Sequence, residues 1–189
     1  MTSQKQNIGK GGTGYQTGND GNISINNFYN VIRNPSILAK VVNAISKINL
    51  EDKTILGEIN EAPVIEDKIK YNNIKTYQYL INGYKVYGKV LEKIYKTLEQ
   101  EKPGKKSKLL RIVSDFYKIE KGSLTTNNDI EIIRSNADKI IKNIINKLDI
   151  DILRSSNLNA DNEDIKTAIS IIVADAFIRC KILEDPNIK

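Results

Sequence analysis

The chain reads as an all-α protein, an antiparallel helical bundle of about five helices behind a flexible or short-β N-terminal segment. Three observations carry this. From Pro35 onward, apolar residues recur at alternating three- and four-residue spacings, the period of a helix face turned toward a core. All four prolines, at 35, 63, 103 and 186, fall between those periodic stretches, where a residue without a backbone N–H does least harm. Residues 1–34 break with the pattern, holding six of the eleven glycines and only four charged side chains. The expected division is therefore 1–34 and 35–189.

No helical period appears in the first 34 residues. Asn19-Asp20-Gly21-Asn22 is a turn signal, and Ile23-Ser24-Ile25-Asn26 alternates with the period of a strand. A lone hairpin is marginal in water, so the segment either stays mobile or takes strand partners from other chains. Gln16, Gly18, Asn22, Ile23 and Ile25 are the candidate contacts of the second arrangement, because amide ladders and alternating isoleucines suit in-register stacking. Lys10-Gly11-Gly12-Thr13-Gly14 imitates the opening of a phosphate-binding loop. Tyr15 and Gln16 then stand where that chemistry needs Lys and Ser or Thr.

Asn34 reads as the N-cap and Pro35 as the first residue of a helix ending near Leu50, with Ile37, Leu38, Val41, Val42, Ile45 and Ile48 inward. Residues 51–72 read as a structured connection with room for a short helix. A long helix is expected from Asn73 to about Gln100, on Ile74, Tyr77, Ile81, Tyr84, Leu91, Ile94, Tyr95 and Leu98. Gly83 and Gly88 lie inside it, each about 1 kcal/mol worse than Ala, which implies close packing against another helix. After Pro103-Gly104, a helix is expected over Lys105–Lys121, with Leu109, Ile112, Val113, Phe116 and Ile119 inward and Gly122 as its C-terminal cap. The next carries Ile130, Ile133, Ala137, Ile140, Ile141, Ile144, Ile145 and Leu148. The last, Ile165 to Glu184, is the most apolar and the one the others pack on. It holds Asp175 in mid-run and the only cysteine, Cys180, read as a small core residue.

A length of 189 residues and a hydrophobic content of 40% suffice for one good-sized domain. The net charge of +6 and pI near 9.2 permit acidic partners without demanding nucleic acid. Histidine is absent, which removes the commonest general base and the commonest metal ligand together. With one cysteine there is no internal disulfide and no Cys/His zinc site. No catalytic, cofactor-binding or metal residue is assigned. Without an apolar leader, or a run of about 18 uncharged apolar residues, a soluble cytoplasmic protein is expected, with no membrane contact.

The densest basic patch is Lys102, Lys105, Lys106, Lys108 and Arg111. Lys105, Lys106 and Lys108 sit at a helix N-terminus, where cations are mildly unfavourable. This hints at an acidic partner or a phosphate, although a solvated turn explains it as well. Aromatic residues suited to base stacking are missing from this loop. Nucleic acid is accordingly the lesser alternative. Asp175, between Ala174 and Ala176, must be paired or reach water. Arg179, four residues on, is placed to pair with it. The two read as a structural or docking ion pair, because one carboxylate without a second converging group is not a mechanism.

Three stretches carry a family likeness: Lys68-Ile69-Lys70-Tyr71-Asn72-Asn73-Ile74-Lys75-Thr76-Tyr77, Lys105-Lys106-Ser107-Lys108-Leu109-Leu110-Arg111, and Val173 to Pro186 with its ending DAFIRCKILEDP. Over roughly residues 65–186 they resemble the helical C-terminal module of bacterial ABC-three-component systems, which are conflict or antiphage systems. The resemblance implies a module without catalytic residues that couples an effector to an ABC-type ATPase and a small middle component. The face presenting Asp175 and Arg179 is the expected contact with the ATPase or middle component. An effector domain fused in front is not expected. In its place Gly14 to Asn27 resembles the short Gly/Asn/Gln motifs of amyloid-like signalling proteins, which implies an effector recruited in trans, or a homo-oligomer, by strand stacking.

Overall fold

The computed structural model describes residues 15–17, 23–25, 34–48, 62–125, 127 and 129–187. The chain divides into two compact units, Met1–Ile32 and Arg33–Lys189. In the first, β1 (Tyr15–Thr17) pairs antiparallel with β2 (Ile23–Ile25). The register sets Tyr15 opposite Ile25, Gln16 opposite Ser24 and Thr17 opposite Ile23. Gly18 and Asn22, two of the candidate contacts, lie outside the described residues.

The second unit is all-α. Its described helices are α1 (Ile37–Ser46), α2 (Ala62–Tyr71), α3 (Gln78–Glu101), α4 (Lys105–Leu124), α5 (Ile130–Ser135), α6 (Ala137–Leu153) and α7 (Asn162–Ile178). Two more than the expected five arise because residues 51–72 do supply a helix and the isoleucine-rich stretch breaks in two. The core forms around α7, which packs on α1, α3, α4 and α6. From Ile171 to Phe177 every residue of α7 is buried. A helix apolar on all sides has to be central, which is why the amphipathic helices collect on it.

Several boundaries differ from expectation, each for a local reason. Ser36 rather than Asn34 caps α1, its Oγ accepting the Leu38 N–H at 3.1 Å. Asn34 is used elsewhere, its carbonyl accepting the Ser156 N–H at 3.2 Å. α1 ends at Ser46, and the stretch toward Leu50 passes out of the described residues at position 49.

Asn73 does not start a helix; it closes α2. It takes a left-handed φ of 53°, with Asn73 N–H donating to Lys70 O and Ile74 N–H to Ile69 O, both at 3.1 Å. That pair of bonds is a Schellman ending, with buried Ile74 and Ile69 as its apolar contact. The backbone N–H groups of Lys75, Thr76 and Tyr77 then converge on the Asp138 carboxylate at 3.1 to 3.4 Å, which delays α3 to Gln78.

α4 runs through Gly122 to Leu124 instead of stopping there. Its N-terminus is fastened by Glu99, whose carboxylate accepts the Gly104 and Lys106 N–H groups at 2.7 Å each. Ile119, expected inward, is 59% exposed. Asn136 separates α5 from α6 and donates through Nδ2 to Ile132 O at 2.9 Å. Ile130 consequently faces out, while Ile133 stays buried. Gly83 is not a close-packing site: a Cβ there would meet only the Tyr87 ring, at 3.9 Å.

The largest correction concerns the last helix, which ends at Ile178 and not at Glu184. Cys180 takes a left-handed φ of 54°, with Cys180 N–H bonding Phe177 O and Lys181 N–H bonding Ala176 O. This is a second Schellman ending, made on a cysteine where glycine is the usual choice. Cys180 is thus a half-buried turn residue rather than a core one.

Candidate functional site

Asp175 is completely buried in the apolar middle of α7. Its carboxylate stays there because three donors meet it. Tyr84 Oη donates to Oδ1, Tyr95 Oη donates to Oδ2 at 2.9 Å, and Arg179 Nε donates to Oδ1 at 2.8 Å. Both tyrosines come from α3, eleven residues apart, so three turns of helix set their hydroxyls on one face. Burial pushes the Asp175 carboxyl upward, while the two phenols and the Lys106 charge pull the other way. The same burial, with the neighbouring carboxylate charge, pushes the Tyr84 and Tyr95 phenols well above their usual range.

The network reaches the surface through Arg179. Its Nη2 pairs with Glu92, which Lys106 also contacts at 3.2 Å. Lys106 lies 5.0 Å from the Tyr95 ring centroid, closing the circuit over the phenol. With both oxygens engaged and no exposed surface, Asp175 offers neither a proton nor a lone pair to an outside molecule. The expectation that Asp175 is presented on a docking face is therefore corrected. A carboxylate with three internal donors works as a fastener, and Arg179 and Glu92 are the members of the network that reach solvent.

A second cluster pins the C-terminal turn. Lys68 on α2, only 6% exposed, donates to Ile178 O and to Cys180 Sγ, both at 2.7 Å. The ammonium thus sits on the C-terminal end of α7, where the helix dipole favours a cation. Burial pushes the Cys180 thiol upward against the pull of Lys68. Asn72, in the turn just after α2 and fully buried, donates to Lys68 O and Glu184 O and accepts the Glu184 N–H at 2.9 Å. Glu184 receives Tyr117 Oη and Lys121 Nζ. Burial alone would raise its carboxyl, but these two donors hold it below the usual carboxylate range.

The basic patch is partly neutralised from within. Lys105 pairs with Glu101 at 2.5 Å and Lys106 with Glu92. Lys108 and Arg111 are exposed and make no ion pair among the described residues. Gln16, Ile23 and Ile25 lie on the two paired strands, in the other unit. Sequence reasoning missed Tyr84, Tyr95, Glu92, Lys68 and Asn72. The tyrosines carried a signal, since a phenol on an inward stripe needs a polar partner, and Asp175 needed one too. Among the described residues, no three of Cys, Asp and Glu gather as a metal-binding group, and no helix is long and apolar enough to cross a membrane.

These features define an α-helical module centred on one buried helix and fastened by internal polar clusters. The chain matches C-terminal domain 10 of the ABC-three component (ABC-3C) systems over residues 36–184 and belongs to that family. The match begins at the cap of α1 and ends at Glu184, so it covers all seven helices and the pinned turn. No curated protein and no solved structure matches the chain.

Proposed function

We propose that this chain is a non-enzymatic adaptor of a bacterial ABC-three-component defence system. In this reading the helical unit binds the system's ABC-type ATPase or its middle component, and the N-terminal segment recruits an effector or another copy of the chain by strand pairing. The module acts in the cytoplasm, without cofactor or metal.

The observation that carries the reading is the family match across the whole helical unit. The internal use of Asp175 supports it, because the one carboxylate buried in the core among the described residues serves structure. Arg179, with 29% of its side chain exposed beside Glu92 at 49%, takes over the docking role first given to the Asp175–Arg179 pair. The antiparallel pairing of Gln16 with Ser24 and of Thr17 with Ile23 supports the strand-exchange half.

The test is co-expression of the full chain with the ATPase and middle component encoded beside it, followed by affinity purification and size-exclusion chromatography. A stoichiometric complex that Glu92→Lys weakens at least tenfold is the expected result. A chain that elutes alone from both components overturns the adaptor reading.

A further inference from the structure

One buried side-chain nitrogen or oxygen is left without a hydrogen-bond partner among the described residues, the Nε–H of Arg134. Native interiors satisfy such donors almost without exception, so an orphan asks for a missing acceptor. Arg134 lies near the end of α5. Its Nη1 donates to Glu131 at 2.7 Å, and its guanidinium carbon is 5.0 Å from the Tyr71 ring centroid. Those contacts fix the plane of the group and use one end of it. The remaining edge, Nε with Nη2, is the one that takes a carboxylate side-on through two parallel hydrogen bonds.

Arg134 lines a cleft of about 490 Å³ together with Val64, Asp67, Lys70, Tyr71, Pro186 and Asn187. α2, α5 and the turn after α7 supply these residues. Lys70 makes no ion pair among the described residues, so beside the partly engaged Arg134 and the Asp67 carboxylate the cleft holds one unspent cation. Val64 is 49% exposed, and with Pro186 and the Tyr71 ring it gives the cleft apolar walls beside its cations. An arginine stacked on a tyrosine at a seam between helices accounts for the Tyr71 contact. It leaves the free side-on edge, the unpaired lysine and the bare apolar walls unexplained at one place. A small inorganic anion would satisfy the cations and leave the walls wet, whereas a carboxylate carried on a peptide answers to both.

We propose that this cleft recognises an acidic peptide segment of a partner protein. An Asp or Glu of the segment takes the Nε–Nη2 edge of Arg134 side-on, Lys70 adds charge, and a neighbouring apolar side chain of the partner rests on Val64 and Pro186. The site stands whether or not the chain binds the ATPase, because its chemistry is tested on the chain alone.

The experiment titrates the full, nitrogen-15-labelled chain with acetyl-Leu-Glu-Leu-amide while the arginine Nε–H resonances are followed. The Arg134 signal is assigned by its disappearance in Arg134→Lys. A saturable shift of that signal at low-millimolar peptide is expected, with the Gln analogue and sodium acetate at least tenfold weaker. Arg134→Lys, which lacks the Nε–H signal and is followed by its backbone amide shifts, binds at least tenfold more weakly with the backbone spectrum otherwise retained, and Lys70→Gln, away from the Tyr71 stack, binds several-fold more weakly. Equal shifts from the Glu and Gln peptides overturn the proposal, as does an Arg134 signal that does not move. Acetate matching the Glu peptide assigns the cleft to small anions and overturns the peptide claim.

Discussion

Replacing Asp175 by alanine takes the acceptor away from two phenols and a guanidinium at once. Tyr84 and Tyr95, 3% and 1% exposed, have no water to turn to. Each buried hydroxyl left unsatisfied costs about 1–3 kcal/mol, while Arg179 keeps Glu92 and loses less. The sum is about 3–5 kcal/mol, the usual loss on breaking a buried pair, out of a total stability of about 5–15 kcal/mol for a domain. With a urea slope of about 2 kcal/mol per molar, the unfolding midpoint drops by roughly 2 M. The assay is urea unfolding of the full chain followed by far-ultraviolet circular dichroism. Adding Tyr84→Phe and Tyr95→Phe to Asp175→Ala removes the stranded hydroxyls and should restore about half the loss, since deleting both partners of a buried bond is close to neutral. A midpoint within about 0.3 M of the parent refutes the hydrogen-bond account; a triple variant no better than the single one refutes it too and leaves packing as the cause of the loss.

Two further outcomes follow from other groups. The Tyr84 and Tyr95 phenols are raised above their ordinary 10.0 in the folded chain. The stability they contribute is therefore complete below pH 10.0 and is lost as pH climbs above it. Each contributes a slope of up to about 1.4 kcal/mol per pH unit; Tyr117, raised by burial and its hydrogen bond to Glu184, acts in the same direction. Urea midpoints between pH 8 and 11 should stay flat and then fall, with Tyr95→Phe flattening the fall. Gly122→Ala has open space within 4 Å, and Gly83→Ala meets only an ordinary contact. Each should add about 0.5–1 kcal/mol, seen as a higher calorimetric melting temperature.

The helical class and the central place of the last helix were legible because they depend on apolar period, a property of neighbouring residues. What stayed hidden depends on partners far along the chain. Asn73 can cap a helix start or close one in the left-handed region, and the two roles look alike until Ile74 is seen bonding back to Ile69. The isoleucine stripe of α5 and α6 keeps its period across Asn136, so the break leaves no trace in the pattern. Asp175 was visible as an anomaly, but its tyrosines lie 91 and 80 residues upstream. The ending DAFIRCKILEDP proves to be a row of fasteners. Asp175 holds α3, Cys180 and Leu183 turn the chain at positive φ, and Glu184 meets α4.

The position of α7 also bears on when the domain can form. It is the last of the described helices to leave the ribosome, yet α1, α3, α4 and α6 all pack on it. α1 is equally dependent on late chain: Ser36 N–H donates to Asn157 Oδ1 at 2.8 Å, 121 residues away. Contacts of such separation close slowly and only after the intervening chain exists. Through most of translation the early helices therefore wait without their partner, and the Gly/Asn-rich N-terminal segment is out of the ribosome long before its helical unit can fold. A nonsense mutation before residue 162 would deliver that segment on a module that cannot close.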